Sequence, residues 1–322
     1  MFIKDAILPH VPHIFVLSIL TFLTYRIWQK YVTQRGTLPL PPSPPGIPIL
    51  GNLIEFVKDA KQASQHILLQ KWAEKHGDIV GVKIGPMTEY YVNSDRAVKE
   101  IFDRASAVTA ERPRWIVSNE QICNKMNVLL LNSSDARWKN QRRIIHSCMT
   151  SIPNADAALK FLHFESAKFL NEVASAGPNG LSNSKFLESL SRYTYSTFTS
   201  QTFGMEITDT NSPVIGYIHE TGLAQILGTL PGSYVVDVLP FLDMMPMFLK
   251  PWEQRSRERF RRDLAWCMER LDRVKNPKST DPEIPKEAFL RTLLQESKKY
   301  GVEPEEAAYL SLMLVLAAAD TV

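Results

Sequence analysis

The segment Leu38–Asn52, LPLPPSPPGIPILGN, sets the first limit on what this chain can fold into. Six of the 21 prolines lie between residues 39 and 48. Proline fixes φ and has no backbone N–H to donate, so the run is neither helix nor central strand. It reads as a semi-rigid spacer. Alone, it would also suit a generic linker or a ligand for a polyproline-binding domain. Its position decides otherwise. It lies between a charge-free apolar stretch and a long folded segment, and so reads as a hinge, residues 36–52, between an anchor and a domain.

The anchor is residues 1–35. No Asp, Glu, Lys or Arg occurs from Ala6 to Tyr25. Such a length, at about 1.5 Å per helical residue, covers roughly the 30 Å of a bilayer interior. Arg26, Lys30 and Arg35 follow it, against Lys4 and Asp5 before. Basic flanks favour the cytosolic side, so a single pass with a lumenal N-terminus is expected. Trp28 and Tyr31 suit an interfacial belt. A cleaved signal peptide is the competing reading, but no small-x-small site closes the apolar run before Arg26.

Composition suits a large core behind that anchor. The chain has 322 residues, 44% hydrophobic and 22% charged. A net charge of +3 does not indicate a nucleic-acid surface. Cys123, Cys148 and Cys267 are far apart and odd in number, which argues against a disulfide framework and fits a cytosolic face. Asn132-Ser133-Ser134 matches the glycosylation pattern, and the expected topology keeps it unmodified.

The pattern along residues 53–322 predicts a mainly α fold with a small β-sheet. Helices are expected over Ala63–His76, from a Ser94 cap to about Arg104, over Ala136–Cys148, and from an Asn154 cap to Gly177-Pro178. Others are expected over Ser184–Phe203, Pro213–Leu227, Trp252–Val274, Lys286–Tyr300 and Glu303–Val322. Ile79–Ile84 and Thr88–Val92, parted by Gly85-Pro86, read as a hairpin. Residues 105–135 are weakly periodic and read mostly as loop. Leu230–Pro251 is irregular and strongly apolar.

The last helix ends LMLVLAAADTV. Leu310, Leu314, Ala317 and Thr321 share one face. The small residues leave a groove in which something bulky can approach the backbone. Asp320 and Thr321 follow in an otherwise apolar run; a buried helix whose Thr bonds back to a carbonyl is the plainer reading.

Taken in order, the anchor, hinge, hairpin, basic helix and small-small-x-Asp-Thr helix resemble the N-terminal two-thirds of a microsomal cytochrome P-450, a haem-thiolate monooxygenase of the fungal secondary-metabolism type. PPSPPGIPILGN resembles that family's PPGPxGxPxxGN. Glu111–Pro113 reads ERP, Trp138–Arg142 matches W-x-x-x-R, and AAADTV is similar to A-G-x-D-T-T. The resemblance implies that Trp138 and Arg142 donate to a haem propionate and that Ala317 and Ala318 let haem lie against the helix. It implies that Asp320 and Thr321 help deliver protons. It also implies a lipophilic small-molecule substrate, a secondary metabolite, near Trp115, Ile116, Leu129 and Leu314. Val117, Leu130, Leu223 and Ile226 belong to the same apolar segments. Implied partners are an NADPH-cytochrome reductase, which supplies electrons from NADPH, and the endoplasmic reticulum membrane. Residues 239–249 would dip into that membrane beside the anchor.

Two departures are mild: Ala318 stands where the family has Gly, and Val322 where it has a second hydroxyl. A larger one is that no F-x-x-G-x-x-x-C-x-G loop surrounds Cys123, Cys148 or Cys267, so no metal-ligating residue is assigned. Two readings follow. In one, the chain is a truncated monooxygenase whose longer form is active; in the other, it is a non-catalytic, membrane-anchored remnant or interaction protein. In both, residues 1–322 alone are expected to hold no haem stably and to be inactive. The last helix is then expected to be exposed, frayed or packed non-natively.

Overall fold

The computed structural model describes residues 17, 20–22, 24–25, 40–61, 64–178, 180–230, 232–278 and 283–319. The expected anchor lies mostly outside these residues. Leu17, Leu20, Thr21, Phe22, Thr24 and Tyr25 are helical and exposed. No helix among the described residues is long and apolar enough to cross a membrane.

The chain divides into two compact units. One comprises residues 1–83 with 88–97, the other residues 84–87 with 98–322. In the first, Leu40–Gly46 has no helical structure, as its prolines require. It is not a detached spacer, however. Proline lacks an N–H but keeps its carbonyl, and the Pro42 carbonyl accepts Gly81 N–H at 2.8 Å. Ile47 and Gly51 then exchange backbone hydrogen bonds at 3.0 and 2.8 Å, and Asn52 N–H donates to the Lys83 carbonyl at 2.7 Å. Gly51 has φ +61°, and a Cβ there would lie 2.3 Å from the Lys83 carbonyl oxygen, so only glycine closes this turn. Helices α1 (Leu53–Lys61) and α2 (Gln65–His76) follow. The strands β1 (Ile79–Ile84) and β2 (Met87–Val92) pair as the expected hairpin, a two-stranded sheet. Helix α3 (Asp95–Val98) starts where Ser94 Oγ accepts Ala97 N–H, and continues as a π-helix to Arg104.

The second unit is helical. After α4 (Ser106–Thr109) comes a π-helical segment, Ile116–Ile122, in a region expected to be mostly loop. Helix α5 (Ala136–Ile145) is capped by Asp135, whose carboxylate accepts Arg137 N–H at 2.8 Å, and runs on as a π-turn to Thr150. Helix α6 (Ile152–Ser175) starts earlier than expected, with Ser151 before it; Asn154 instead donates its side-chain amide to the Ser147 carbonyl at 2.7 Å. Helix α7 (Asn183–Phe203) stops at Gly204, which has φ +66°. Next come α8 (Pro213–Gly228), α9 (Val235–Val238) with 3₁₀ turns at Pro240–Met244 and Met247–Leu249, and α10 (Pro251–Lys275). Helices α11 (Phe289–Tyr300) and α12 (Pro304–Ala319) complete the unit.

Helix α12 forms its centre. Ala307, Ala308, Tyr309, Leu310, Leu312 and Val315 are each 0% exposed. This corrects the expectation of an exposed or frayed helix. Walls come from within the chain: Tyr195 and Phe203 of α7, Cys267 and Leu271 of α10 and Leu290 of α11 share one apolar cluster with α12. A second joins Ile144, Ile145, Phe289 and Leu293 to Ala307 and Leu310. Between α6 and α7, the fully buried Arg192 bonds Glu165 at 2.8 Å and pairs with Glu172 at 2.9 Å.

Candidate active site

The site is built on α5 and α12. Each presents a different chemistry, and two contacts hold them together. Gln141 Nε2 on α5 donates to Glu306 Oε1 on α12 at 2.6 Å, and both side chains are buried. Trp138 and Leu314 pack half-buried against the second apolar cluster. The motif-bearing helix is thereby tied to the first turn of α12 and shares an apolar cluster with Leu314 further along it. Arg142, one turn after Trp138, is exposed, with its guanidinium carbon 5.9 Å from the Trp138 ring centroid. No carboxylate among the described residues forms an ion pair with it. The pair therefore offers a partly buried indole N–H and an exposed guanidinium fork from one face, a donor set suited to a carboxylate.

On α12, Leu314, Ala317 and Ala318 are half-buried, while Val315, Leu316 and Ala319 are buried. The less covered face is thus the one that carries the small residues. Asp320 and Thr321, the expected proton-delivery pair, lie outside the described residues. The four expected pocket residues are divided. Ile116 is 1% exposed and packs in the cluster containing Leu316 and Ala319. Trp115 is half-buried at the start of the π-helical segment, and Leu314 belongs to the other cluster. Leu129 is 48% exposed at a surface turn, and the geometry does not bring it to the other three. Leu223 and Ile226 are exposed on α8.

The fit of a haem group divides the same way. Trp138 and Arg142 suit the propionate side, and Leu314, Ala317 and Ala318 suit an apolar face. No cysteine suits the iron. Burial pushes the Cys123 and Cys148 thiols up to about 11, and Cys267 still higher. Each is a buried, protonated thiol rather than a thiolate facing a cavity.

Two buried polar groups escaped the sequence reading. Gln141 lies inside the W-x-x-x-R match, and its place on the apolar stripe with Ile144 and Ile145 was the available signal. Asp237, near the start of the apolar 230–251 segment, accepts the Ile116 N–H at 2.7 Å; no local pattern marks that contact.

A cytochrome P450 family model matches residues 41–322. A cytochrome P450 monooxygenase of Gibberella fujikuroi is 49% identical over 88% of this chain and 52% of its own length. One of Clonostachys rogersoniana is 26% identical over 87% of the chain and 50% of its own length. The chain thus spans about half the length of these curated relatives. Among solved structures, a cyanobacterial cytochrome P450 with retinoic acid bound is similar in fold. Its TM-score is 0.58 at 16% identity, over 88% of this chain and 58% of that one. A zebra fish cytochrome P450 with progesterone gives the same TM-score over 80% of this chain and 56% of that one, at 15% identity. The family model over residues 41–322 and the 49% identical relative show that the chain belongs to the cytochrome P450 family.

Proposed function

We propose that the protein to which these residues belong is a haem-dependent monooxygenase that oxidises a lipophilic small molecule, in fungal secondary metabolism. The observation that carries this reading is the packing of Trp138 and Leu314 on one cluster, which joins the W-x-x-x-R helix to the small-residue face of α12. Bound haem would supply oxygen activation, with electrons from NADPH through a reductase partner. Trp138 and Arg142 would hold its propionate edge. Ala317 and Ala318 would keep the opposing face shallow, and Leu314 and Ile116 would exclude water from an apolar substrate. Asp320 and Thr321 would hold and pass a proton at the end of α12.

The same reading places the protein on the endoplasmic reticulum membrane through residues 1–35, with the N-terminus lumenal and the folded units cytosolic. The exposed side chains Phe241, Met247, Phe248 and Leu249 would add a second, peripheral contact.

The buried state of all three thiols favours a second reading for residues 1–322 by themselves: a family member without iron–thiolate chemistry. Haem titration of residues 36–322 tests both. Weak binding that falls further in Trp138→Phe and Arg142→Ala, with no red-shifted ferrous-carbonyl absorption, is the expected result. A thiolate-type band would overturn the assignment of the three cysteines. Binding indifferent to both substitutions would overturn the propionate site.

A further inference from the structure

Asp237 lies in α9, between the two long helices α8 and α10, and is 8% exposed. Its Oδ1 accepts the backbone N–H of Ile116 at 2.7 Å and of Val117 at 3.4 Å. These amides open the π-helical segment Ile116–Ile122 and have no helical carbonyl before them to bond. Asp237 Oδ2 has no hydrogen-bond partner among the described residues. A buried carboxylate with one idle oxygen is a costly way to fill a core position, so packing alone does not explain it. It does meet the one need an apolar residue could not, that of two orphaned donors.

Three further contacts join the same two stretches of chain. Ile116 and Val117 share an apolar cluster with Val236. Gly228, at the end of α8, lies so close to Ser118 that an added Cβ would be 2.6 Å from its hydroxyl oxygen. Arg114 bonds both carboxylate oxygens of Glu120, at 2.7 and 3.0 Å, and lies 3.8 Å from Asp243. A cavity of about 450 Å³ is lined by Ile122 and Tyr234, one from each stretch, together with Trp252, Ser256 and Arg259 of α10. The two stretches are thus packed together, and each contributes a residue to that cavity.

We propose that Asp237 is a positioning residue, which fixes Trp115 and Ile116 by tying the first turn of the 116–122 segment to α9, so that segments far apart in sequence form a single wall. The assignment rests on the reading of Trp115 and Ile116 as pocket residues; the tie itself does not. Hydrogen exchange of the full 322-residue chain in rising urea tests it without haem or substrate. In the parent chain, the amides of 116–122 and 236–239 should share one opening isotherm, distinct from that of the α12 core. Asp237→Ala should speed exchange at Ile116 and Val117 by at least about tenfold, with α12 unchanged. Asp237→Asn, whose amide oxygen can still accept, should restore protection to within about threefold. Separate isotherms for the two segments in the parent chain would overturn the proposal, even if the alanine variant failed to fold. So would unchanged exchange in Asp237→Ala, or loss spread equally to α12. If the isotherms coincide but Trp115→Ala leaves binding of the lipophilic probe 8-anilinonaphthalene-1-sulfonate unaltered, the pocket placement falls and the tie stands.

Discussion

Gln141 on α5 donates its side-chain amide to Glu306 on α12 at 2.6 Å, away from solvent. Glu306 lies in the first turn of α12, where the helix dipole favours a negative charge. The bond therefore joins an ionic group at a favourable position to the helix that carries Trp138 and Arg142.

Removing the donor should be costly because the carboxylate stays buried. Gln141→Ala is expected to destabilise the fold by about 1–3 kcal/mol in urea unfolding at pH 7. Glu306→Gln leaves a neutral acceptor and should cost less. A loss under about 0.5 kcal/mol in Gln141→Ala would mean that water fully replaces the lost donor.

Arg192 answers to a larger effect. Its guanidinium and the Glu165 carboxylate are both essentially inaccessible, and Ser196 donates to the second Glu165 oxygen at 2.5 Å. Arg192→Met leaves Glu165 with a hydroxyl as its remaining partner, so a loss of about 3–5 kcal/mol is expected. The double variant Arg192→Met, Glu165→Leu removes both charges and should recover much of that loss. If it were as unstable as the sum of the single variants, the pair would not be the source of the effect.

The thiols give a pH test. Burial raises Cys123 and Cys148 from the ordinary 9.0 to about 11, which favours the protonated form in the folded chain. Their contribution to stability is therefore complete below pH 9 and lost as the pH rises through about 11. Labelling of the native chain by a thiol reagent should be slow at pH 7.5 and rise about tenfold per pH unit, while urea exposes all three thiols at once. One thiol that reacts fast at pH 7.5 in the native state would refute the assignment.

Much of the fold was legible because its signals are local. The Ile79–Val92 hairpin follows from β-rich runs around Gly85-Pro86, and Gly204 and Gly301 stop their helices, each in the left-handed conformation that glycine adopts freely. The Ile116–Ile122 segment was not legible, since the carboxylate that satisfies its first amides comes from residue 237. Nor was the docking of the hinge, which uses a proline carbonyl that the rule about missing N–H groups passes over. At the site, Trp138 and Leu314 were found through motif and periodicity and do share a cluster. Leu129 was chosen as one apolar residue in an apolar run, but run membership does not say which side faces inward. The burial of α12 was misjudged for a related reason. Its neighbours on α7, α10 and α11 are amphipathic helices whose apolar faces cannot be oriented from spacing alone.

Those exposed apolar side chains after α9 give the last prediction. Phe241, Met244, Met247, Phe248 and Leu249 are 62%, 87%, 56%, 82% and 50% exposed, within two short 3₁₀ turns. Such a cluster, on a segment with irregular backbone, is larger than scattered surface residues normally make. Transfer of one phenylalanine from water is worth about 1.5–3 kcal/mol, so each inserted ring should change partitioning by roughly tenfold or more. Residues 36–322 are the form to measure, so that the apolar stretch Ala6–Tyr25 does not contribute. They should float with neutral phosphatidylcholine vesicles, and Phe248→Asp with Phe241→Asp should abolish flotation while leaving the urea midpoint unchanged. Neither ring is buried, so a coupled loss of stability is not expected. If residues 36–322 stayed with the soluble fraction, or floated equally well with both aspartates, the cluster would not be a membrane contact.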